Sequence, residues 1–216
     1  MFTGLIEEVG KVASFAEKDG TRRIVVFSSQ LVKELKTGDS IAVNGVCLTA
    51  LDIQKDSFAA DLAAETVART SLVRLEIGSP VNLELPTKAD GRLGGHVVQG
   101  HVDGVGKLLR LAKSASGQTQ DWMLTIELPS GLEQYVVFKG SITIEGISLT
   151  VAKVEGRSVE VAVIPHTYEA TNLKALQAGD PVNVEVDVLA KYAEKMLKGE
   201  AGPSGVTRER ILSEGF

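Results

Sequence analysis

Aromatic side chains are scarce in this sequence, where they make up 5% of the 216 residues. The core must therefore be built mainly from aliphatic side chains, above all valine and leucine. A single cysteine excludes an intrachain disulfide, which is typical of proteins from a reducing compartment. That cysteine and the three histidines (His96, His101 and His166) show no zinc-binding spacing. The sequence therefore predicts neither a disulfide nor a metal site.

An excess of positive charge is also missing, since the formal net charge is −5. Nucleic acids and anionic membranes require a basic surface, so we expect neither as the main partner. No run of about 18 apolar residues occurs, so we expect no membrane span. The N-terminal segment MFTGLIEEVGK carries acidic residues where a secretory signal would be basic. Together these features predict a cytoplasmic protein.

The most informative pattern is an internal repeat that covers almost the whole chain. The segment IAVNGVCLTA at 41–50 recurs as ITIEGISLTV at 142–151. Three further segments recur in the same order: GLIEEVGK (4–11) as GHVDGVGK (100–107), TVARTSL (66–72) as TYEATNL (167–173), and GSPVNLELP (78–86) as GDPVNVEVD (179–187). A period of about 100 residues indicates that a whole small domain was duplicated, because solenoid repeats are much shorter.

Each copy of the repeat has the pattern of a small β-barrel. VNLEL at 81–85 and VNVEV at 182–186 alternate apolar and polar residues, as half-buried strands do. Short segments of this kind, separated by Gly-Asp or Gly-Ser turns, favour closed antiparallel sheets. We therefore predict an all-β fold of two tandem six-stranded Greek-key barrels, over residues 1–97 and 98–188. Extra residues in the second copy are expected in the polar loop SASGQTQ at 114–120.

The end of the chain has no counterpart in the first repeat and is predicted to be helical. The apolar residues of LAKYAEKMLK fall on one helix face: Leu189, Tyr192, Ala193, Met196 and Leu197. This stripe would pack either against the chain's own barrel or against the same helix of other subunits. We expect residues 189–216 to form an oligomerisation helix and a flexible tail that starts at GEAGPSG.

These motifs resemble those of the riboflavin synthase family. The resemblance rests on MFTGLIEEVGKV, NGVCLTA, GGHVVQGHVDGVG, GISLTV and the paired Thr-x-x-x-Thr-x-Leu segments, and it extends to the C-terminal helix. It implies a transferase of riboflavin biosynthesis that takes two molecules of 6,7-dimethyl-8-ribityllumazine. A four-carbon unit would pass from one to the other, giving riboflavin and 5-amino-6-(D-ribitylamino)uracil. The resemblance also implies that no cofactor or metal takes part.

The same resemblance implies a homotrimer that is held by its C-terminal helices and can associate with lumazine synthase. Each barrel would bind one lumazine, and the reacting pair would meet between the N-terminal barrel of one subunit and the C-terminal barrel of a neighbour. The two substrates are identical but react differently, so recognition should be duplicated while reactive groups diverge. Thr49 and Thr150 fit the first expectation, and Cys47 and Ser148 fit the second.

Four residues are the candidates for catalysis. His101 stands where the first repeat has Leu5, and it would move a proton of the lumazine C7 methyl group. Ser148 would attack a lumazine or orient a water molecule, and Cys47 would add reversibly to the ring or line the site. Asp187 would be a polar partner. The structural alternatives are a loop histidine, a strand hydroxyl, a small buried thiol and an exposed strand-end acid.

Further residues are implied as substrate contacts, many of them through their backbone groups. Those before or within the first barrel are Phe2, Thr3, Gly4, Leu5, Ile6, Cys47, Leu48, Thr49, Asp61, Leu62, Ala63, Ala64, Glu65 and Thr66. Those in the second copy are Gly100, His101, Val102, Lys139, Ser148, Leu149, Thr150, Ala162, Val163, Ile164, Pro165, His166 and Thr167. His96 is expected only to lie at the junction of the repeats.

A non-catalytic lumazine- or flavin-binding protein of the same superfamily is the alternative function. Such a protein needs only one competent pocket and no trimer. The sequence keeps polar or nucleophilic residues in both copies, namely Cys47, His101 and Ser148. This pattern favours the enzyme.

Overall fold

The computed structural model describes residues 1–18, 21–114 and 120–198. Its strands form two six-stranded antiparallel sheets, one for each repeat, which confirms the predicted all-β fold. Most of the polar loop expected at 114–120, and the tail from residue 199 onward, lie outside the described residues. Across the described residues, no helix has both the length and the apolar character that a bilayer span requires.

The first sheet contains strands β1 to β6, in the order β4-β3-β6-β1-β2-β5. An isolated bridge between Leu51, two residues after β4, and Ala59 of β5 connects the two edges of this sheet. Aliphatic side chains fill the interior, including Ile24 and Leu83, which are fully buried. The elements are β1 (Glu8–Lys18), β2 (Thr21–Phe27), β3 (Ser40–Val43), β4 (Val46–Thr49), β5 (Ser57–Leu62), α1 (Ala64–Arg69) and β6 (Pro80–Glu84).

The second sheet contains strands β7 to β12 and is a closed barrel in the order β10-β11-β8-β7-β12-β9. Its core is again aliphatic, as the scarcity of aromatic residues predicts, and Leu124, Ile144 and Val161 are fully buried in it. The elements are β7 (Gly104–Lys113), β8 (Trp122–Glu127), β9 (Ser141–Ile144), β10 (Ile147–Glu155), β11 (Ser158–Val163), α2 (Pro165–Glu169) and β12 (Pro181–Val186).

The predicted C-terminal helix is α3 (Val188–Leu197), which starts directly after β12. The carboxylate of Asp187 accepts a hydrogen bond from the first turn of the helix, which caps its N-terminus. Polar side chains of α3 face the second barrel through two pairs, Lys191 with Asp103 and Glu194 with Tyr135. The helix is therefore attached to its own barrel by its polar side.

The large residues of the apolar stripe of α3 are exposed on the single chain. Leu189 is 65% exposed, Tyr192 60% and Met196 81%. Burying large apolar side chains is the main favourable term in association, and an exposed row of them marks a contact surface. The stripe therefore does not pack against its own barrel, which was one of the two alternatives.

A buried polar network joins the two barrels. Asn82 and Asn172 bond in both directions, with Nδ2 of Asn82 donating at 2.8 Å and the N–H of Asn172 donating at 2.7 Å. Glu145 accepts from the N–H of Asn183 at 2.7 Å and from Nδ2 of Asn172 at 3.0 Å. Burial raises the pKa of Glu145 to about 7, although these hydrogen bonds act in the opposite direction. Separating the barrels would leave such groups unpaired, so the network fixes their relative position.

Candidate active site

Each candidate pocket is built from both repeats, because their N-terminal segments cross over. The carbonyl of Gly4 accepts a hydrogen bond from the N–H of Ser148 at 2.8 Å, in the second barrel. In the equivalent contact, the carbonyl of Gly100 accepts from the N–H of Cys47 at 2.9 Å, in the first barrel. The N-terminus of the chain thus completes the Ser148 pocket, and the start of the second repeat completes the Cys47 pocket.

The crossing segments run side by side between the barrels. Phe2 donates its N–H to the carbonyl of Val98 at 2.7 Å, and Val98 donates back at 3.1 Å. The Phe2 ring is fully buried in a small cluster with Ala42 and Val98, against which Cys47 packs. The N-terminal segment therefore contacts both candidate nucleophiles, at Cys47 through Phe2 and at Ser148 through Gly4.

Two buried glutamates hold the crossing segments in place. Glu84 accepts hydrogen bonds from the N–H groups of Thr3 at 2.7 Å and Gly4 at 3.1 Å. Glu185 accepts from the N–H of Gly100 at 3.0 Å and from that of the preceding residue at 2.7 Å. Burial raises the pKa of both carboxyl groups, while the backbone donors act in the opposite direction. Each crossing segment is therefore held in the same way, by the carboxylate of one buried glutamate.

Side chains alternate along β4 and at the start of β10, as strand geometry requires. The pattern turns Cys47 and Thr49 outward in the first barrel, and Ser148 and Thr150 outward in the second. The neighbouring outward residues of the two barrels are at least partly exposed: Asp61, Ala63, Ala64, Glu65 and Thr66, and Ala162, Ile164, Pro165, His166 and Thr167. Both pockets are therefore open faces of the outer barrel surface.

Four of the predicted contacts lie on the opposite, inner side of their strands. The side chains of these residues are between 0% and 7% exposed and belong to the barrel cores: Leu48, Leu62, Leu149 and Val163. These positions can offer a ligand only their backbone N–H and carbonyl groups.

Ser148 has a histidine partner that sequence reasoning missed. Nδ1 of His96 lies 2.7 Å from Oγ of Ser148, and Nε2 lies 3.1 Å from Oγ1 of Thr143. Burial lowers the pKa of His96, and the charge of Asp187 acts in the opposite direction. A neutral ring that donates from Nε2 to Thr143 accepts the Ser148 proton at Nδ1. His96 does lie at the junction of the repeats, and from there it reaches into the second pocket.

The predicted polar residues His101, Asp187 and Lys139 lie in different parts of the fold. His101 follows Gly100 and is exposed beside the first pocket, which places it with Cys47 and not with Ser148. Asp187 is half-buried and caps α3. Lys139 is exposed in a turn with a φ of 64°, and its Nζ lies 5.1 Å from the centre of the Phe138 ring. No group of acidic, histidine or cysteine side chains in the described ranges is placed to hold a metal ion.

Replacing Gly4 with alanine is expected to disrupt the second pocket. Gly4 has a φ of 76°, and an added Cβ would lie 2.6 Å from Cβ of Ser148. Gly78 has a similar φ of 92°, but an added Cβ there would have no atom within 4 Å. G78A should therefore cost only the backbone strain, about 1 kcal/mol, and G4A clearly more. Thermal unfolding and turnover of both variants provide the measurement, and equal losses would contradict the close contact.

Comparison with known proteins agrees with the duplicated geometry. The profile described as "Lumazine binding domain" matches the chain over residues 3–86 and again over residues 99–187. The structure of LumP in complex with 6,7-dimethyl-8-(1'-D-ribityl) lumazine superposes with a TM-score of 0.76 at 24% identity, covering 86% of this chain and 99% of that one. This likeness shows that the two proteins share a fold.

Curated relatives are similar along nearly their whole length. The riboflavin synthase of Actinobacillus pleuropneumoniae is 43% identical over 197 residues, covering 91% of this chain and 90% of its own. That of Photobacterium phosphoreum is 39% identical and covers 100% and 99% of the two chains, and that of Bacillus amyloliquefaciens is 40% identical and covers 99% of each. With two lumazine-binding domains and relatives of this length and identity, the chain belongs to the riboflavin synthase family.

Proposed function

We infer that the protein is a riboflavin synthase, which converts two molecules of 6,7-dimethyl-8-ribityllumazine into riboflavin and 5-amino-6-(D-ribitylamino)uracil. The observation that carries this function is the pair of equivalent but chemically different pockets. Each has a strand nucleophile tied to a glycine of the other repeat, Cys47 to Gly100 and Ser148 to Gly4. Two identical substrates with different roles require related pockets with different reactive groups.

In the proposed mechanism, the second pocket supplies the nucleophile. Ser148, or a water molecule bound to it, attacks the lumazine beside it, and Nδ1 of His96 takes the hydroxyl proton at 2.7 Å. Asp187 raises the proton affinity of His96 through its charge. The contact of Nε2 with Thr143 fixes the orientation of the ring.

The first pocket supplies proton transfer in this proposal. His101 removes a proton from the C7 methyl group of the other lumazine, whose carbanion is delocalised into the ring, while Cys47 and Thr49 line the site. The four-carbon unit then passes between the rings, and the attacking group is released. The two products together contain all the atoms of the two substrates, so no oxidant, reductant or net water is consumed. Fixing two large rings face to face contributes up to roughly 7–11 kcal/mol in favourable cases.

The proposed assembly is a homotrimer in the cytoplasm that can associate with lumazine synthase. Its support is the exposed apolar stripe of α3 together with the open outer faces of both pockets, where His101 in the first and Ile164 in the second are exposed. Helices of three subunits would cover the stripe. The first pocket of one subunit, on its N-terminal barrel, would then close against the second pocket of a neighbour, on that subunit's C-terminal barrel.

One assay separates the enzyme from a binding protein with the same fold. Purified protein is incubated with 6,7-dimethyl-8-ribityllumazine, and riboflavin is followed by its absorbance and fluorescence. We expect riboflavin and the pyrimidine product to form in equal amounts. Tight binding of the lumazine without riboflavin formation would instead support the non-catalytic binding protein.

A further inference from the structure

An arginine and two aspartates form a charged cluster on the outer face of the first barrel. Nε of Arg23 donates to Oδ1 of Asp61 at 2.6 Å, and Nη2 donates to Oδ2 at 3.0 Å. Nη1 also bonds the carboxylate of Asp52. The Arg23 side chain is only 15% exposed, so it is held in one place by these contacts. Two parallel hydrogen bonds fix the plane of a carboxylate as well as its position.

The cluster lies in line with the first candidate pocket. Arg23 on β2 is the direct cross-strand neighbour of Asp61 on β5. The bridge between Leu51 and Ala59 joins β5 to the end of β4, and its antiparallel register places Thr49 opposite Asp61. Residues directly opposite each other point to the same face of a sheet. Arg23, Asp61 and Thr49 therefore form one row that ends in the Cys47 pocket.

The second barrel has the same row with different chemistry. Met123 on β8 is the direct neighbour of Ala162 on β11. The pairing of Val151 with Val161 places Thr150 opposite Ala162. The threonine is thus kept in both barrels, but the arginine and the carboxylate of the first row are replaced by apolar groups. The charged pair is therefore a difference between the two pockets and not part of the shared barrel architecture.

We propose that Arg23 is a positioning residue that holds the Asp61 carboxylate to accept hydrogen bonds from the ribityl hydroxyls of the lumazine in the first barrel. This rests on the proposed function. A carboxylate only accepts hydrogen bonds, and a chain of neighbouring hydroxyl groups offers donors at several positions. The first barrel is then the pocket that selects for the polyol chain, and the second barrel depends more on ring contacts.

Arg23 is suited to this role because it orients the carboxylate without covering it from solvent. The Asp61 side chain remains 37% exposed despite both contacts. The hydrogen bonds that Arg23 donates to Asp61 raise the pKa of the Arg23 guanidinium, so the arginine keeps its charge. Lysine carries the same charge but lacks the planar fork that fixes a carboxylate.

The test compares two ligands that differ only in the polyol chain. Riboflavin and an isoalloxazine with a methyl group in place of the ribityl chain are titrated into the full-length protein, and quenching of flavin fluorescence gives the affinities. R23M introduces the residue of the second barrel, D61A removes the acceptor, and R23K keeps the charge. K153M is the matched control, since it removes an exposed ion pair of the second barrel, Lys153 with Glu155 at 2.8 Å.

We expect R23M and D61A to weaken riboflavin binding at one site per chain by about tenfold, as a lost charge-assisted hydrogen bond does. R23K should lie between these variants and the wild type. The methyl ligand should bind all variants within about twofold of the wild type, and K153M should change neither affinity.

An equal loss for both ligands would overturn the proposal, because it would mean that Arg23 only supports the barrel. Unchanged riboflavin binding in R23M and D61A would also overturn it. D61A and R23K decide the question even if R23M fails to fold. If instead the wild type neither binds lumazine nor forms riboflavin, the proposed function is wrong, whatever the variants do.

Discussion

Replacing Ser148 with alanine should lower kcat by at least about a hundredfold while leaving the thermal unfolding midpoint almost unchanged. Positioned acid–base groups typically contribute 10²- to 10⁴-fold, and S148A removes the hydroxyl group that lies 2.7 Å from Nδ1 of His96. Ser148 is only half-buried, so its hydroxyl contributes little to the stability of the barrel. Steady-state kinetics and thermal unfolding provide the two measurements. S158A is the matched control, since Ser158 begins β11 and is also half-buried.

His96, the hydrogen-bond partner of Ser148, provides a second test of this role. If His96 takes the Ser148 proton, H96Q should also lower kcat strongly, and the double variant should be no slower than S148A alone. Groups that act as a unit are non-additive in this way. Independent, multiplying losses would mean that His96 acts elsewhere. A near-normal rate in S148A would show that the second pocket has been assigned the wrong nucleophile.

Deleting residues 188–216 should give monomers with intact barrels and at most about one hundredth of the activity. The deletion removes α3, whose apolar stripe is exposed on the single chain, with Met196 at 81%. In the proposed trimer the stripe holds two pockets of different subunits face to face, so its removal would abolish the contribution of fixed orientation. Light scattering gives the mass, circular dichroism reports the barrels, and riboflavin formation gives the rate.

A full-length variant separates assembly from truncation. M196E places a charge in the stripe, whereas K195A changes an exposed polar position on the same helix. M196E should dissociate the proposed oligomer and lose activity, and K195A should do neither. A truncated monomer with the wild-type rate would show that the reacting pair meets within one chain.

The sequence was sufficient to predict the two barrels and the helix, because each leaves a local periodic pattern. The alternation in VNLEL and VNVEV gives the strands β6 and β12, and the apolar spacing after residue 188 gives α3. The duplicated motifs also placed Cys47 and Ser148 at equivalent positions. Both kinds of pattern can be read from the sequence alone, because one involves residues close together in the chain and the other compares equivalent positions of the two repeats.

The crossing of the two N-terminal segments and the role of His96 were not predictable in the same way. Gly4 and Ser148 are far apart in the chain, and no periodicity records their contact. His96 lies outside the four repeated segments, so the comparison of the copies gave no information on it. The signal in the sequence was the preceding glycine, Gly95. In the structure, an added Cβ there would lie 2.0 Å from the carbonyl oxygen of Thr3 and 3.0 Å from Oγ of Ser148. Glycine at that position allows the close backbone approach that brings the histidine to the serine.

The crossed segments also bear on how such a chain could arise. Since the segment before the first strand of each half completes the pocket of the other half, an ancestor with one barrel would have needed a second copy of itself to complete any pocket. Joining the two copies in one gene would have removed the requirement that both halves be the same. Only then could a thiol and a hydroxyl, Cys47 and Ser148, both be retained at equivalent positions of a single polypeptide.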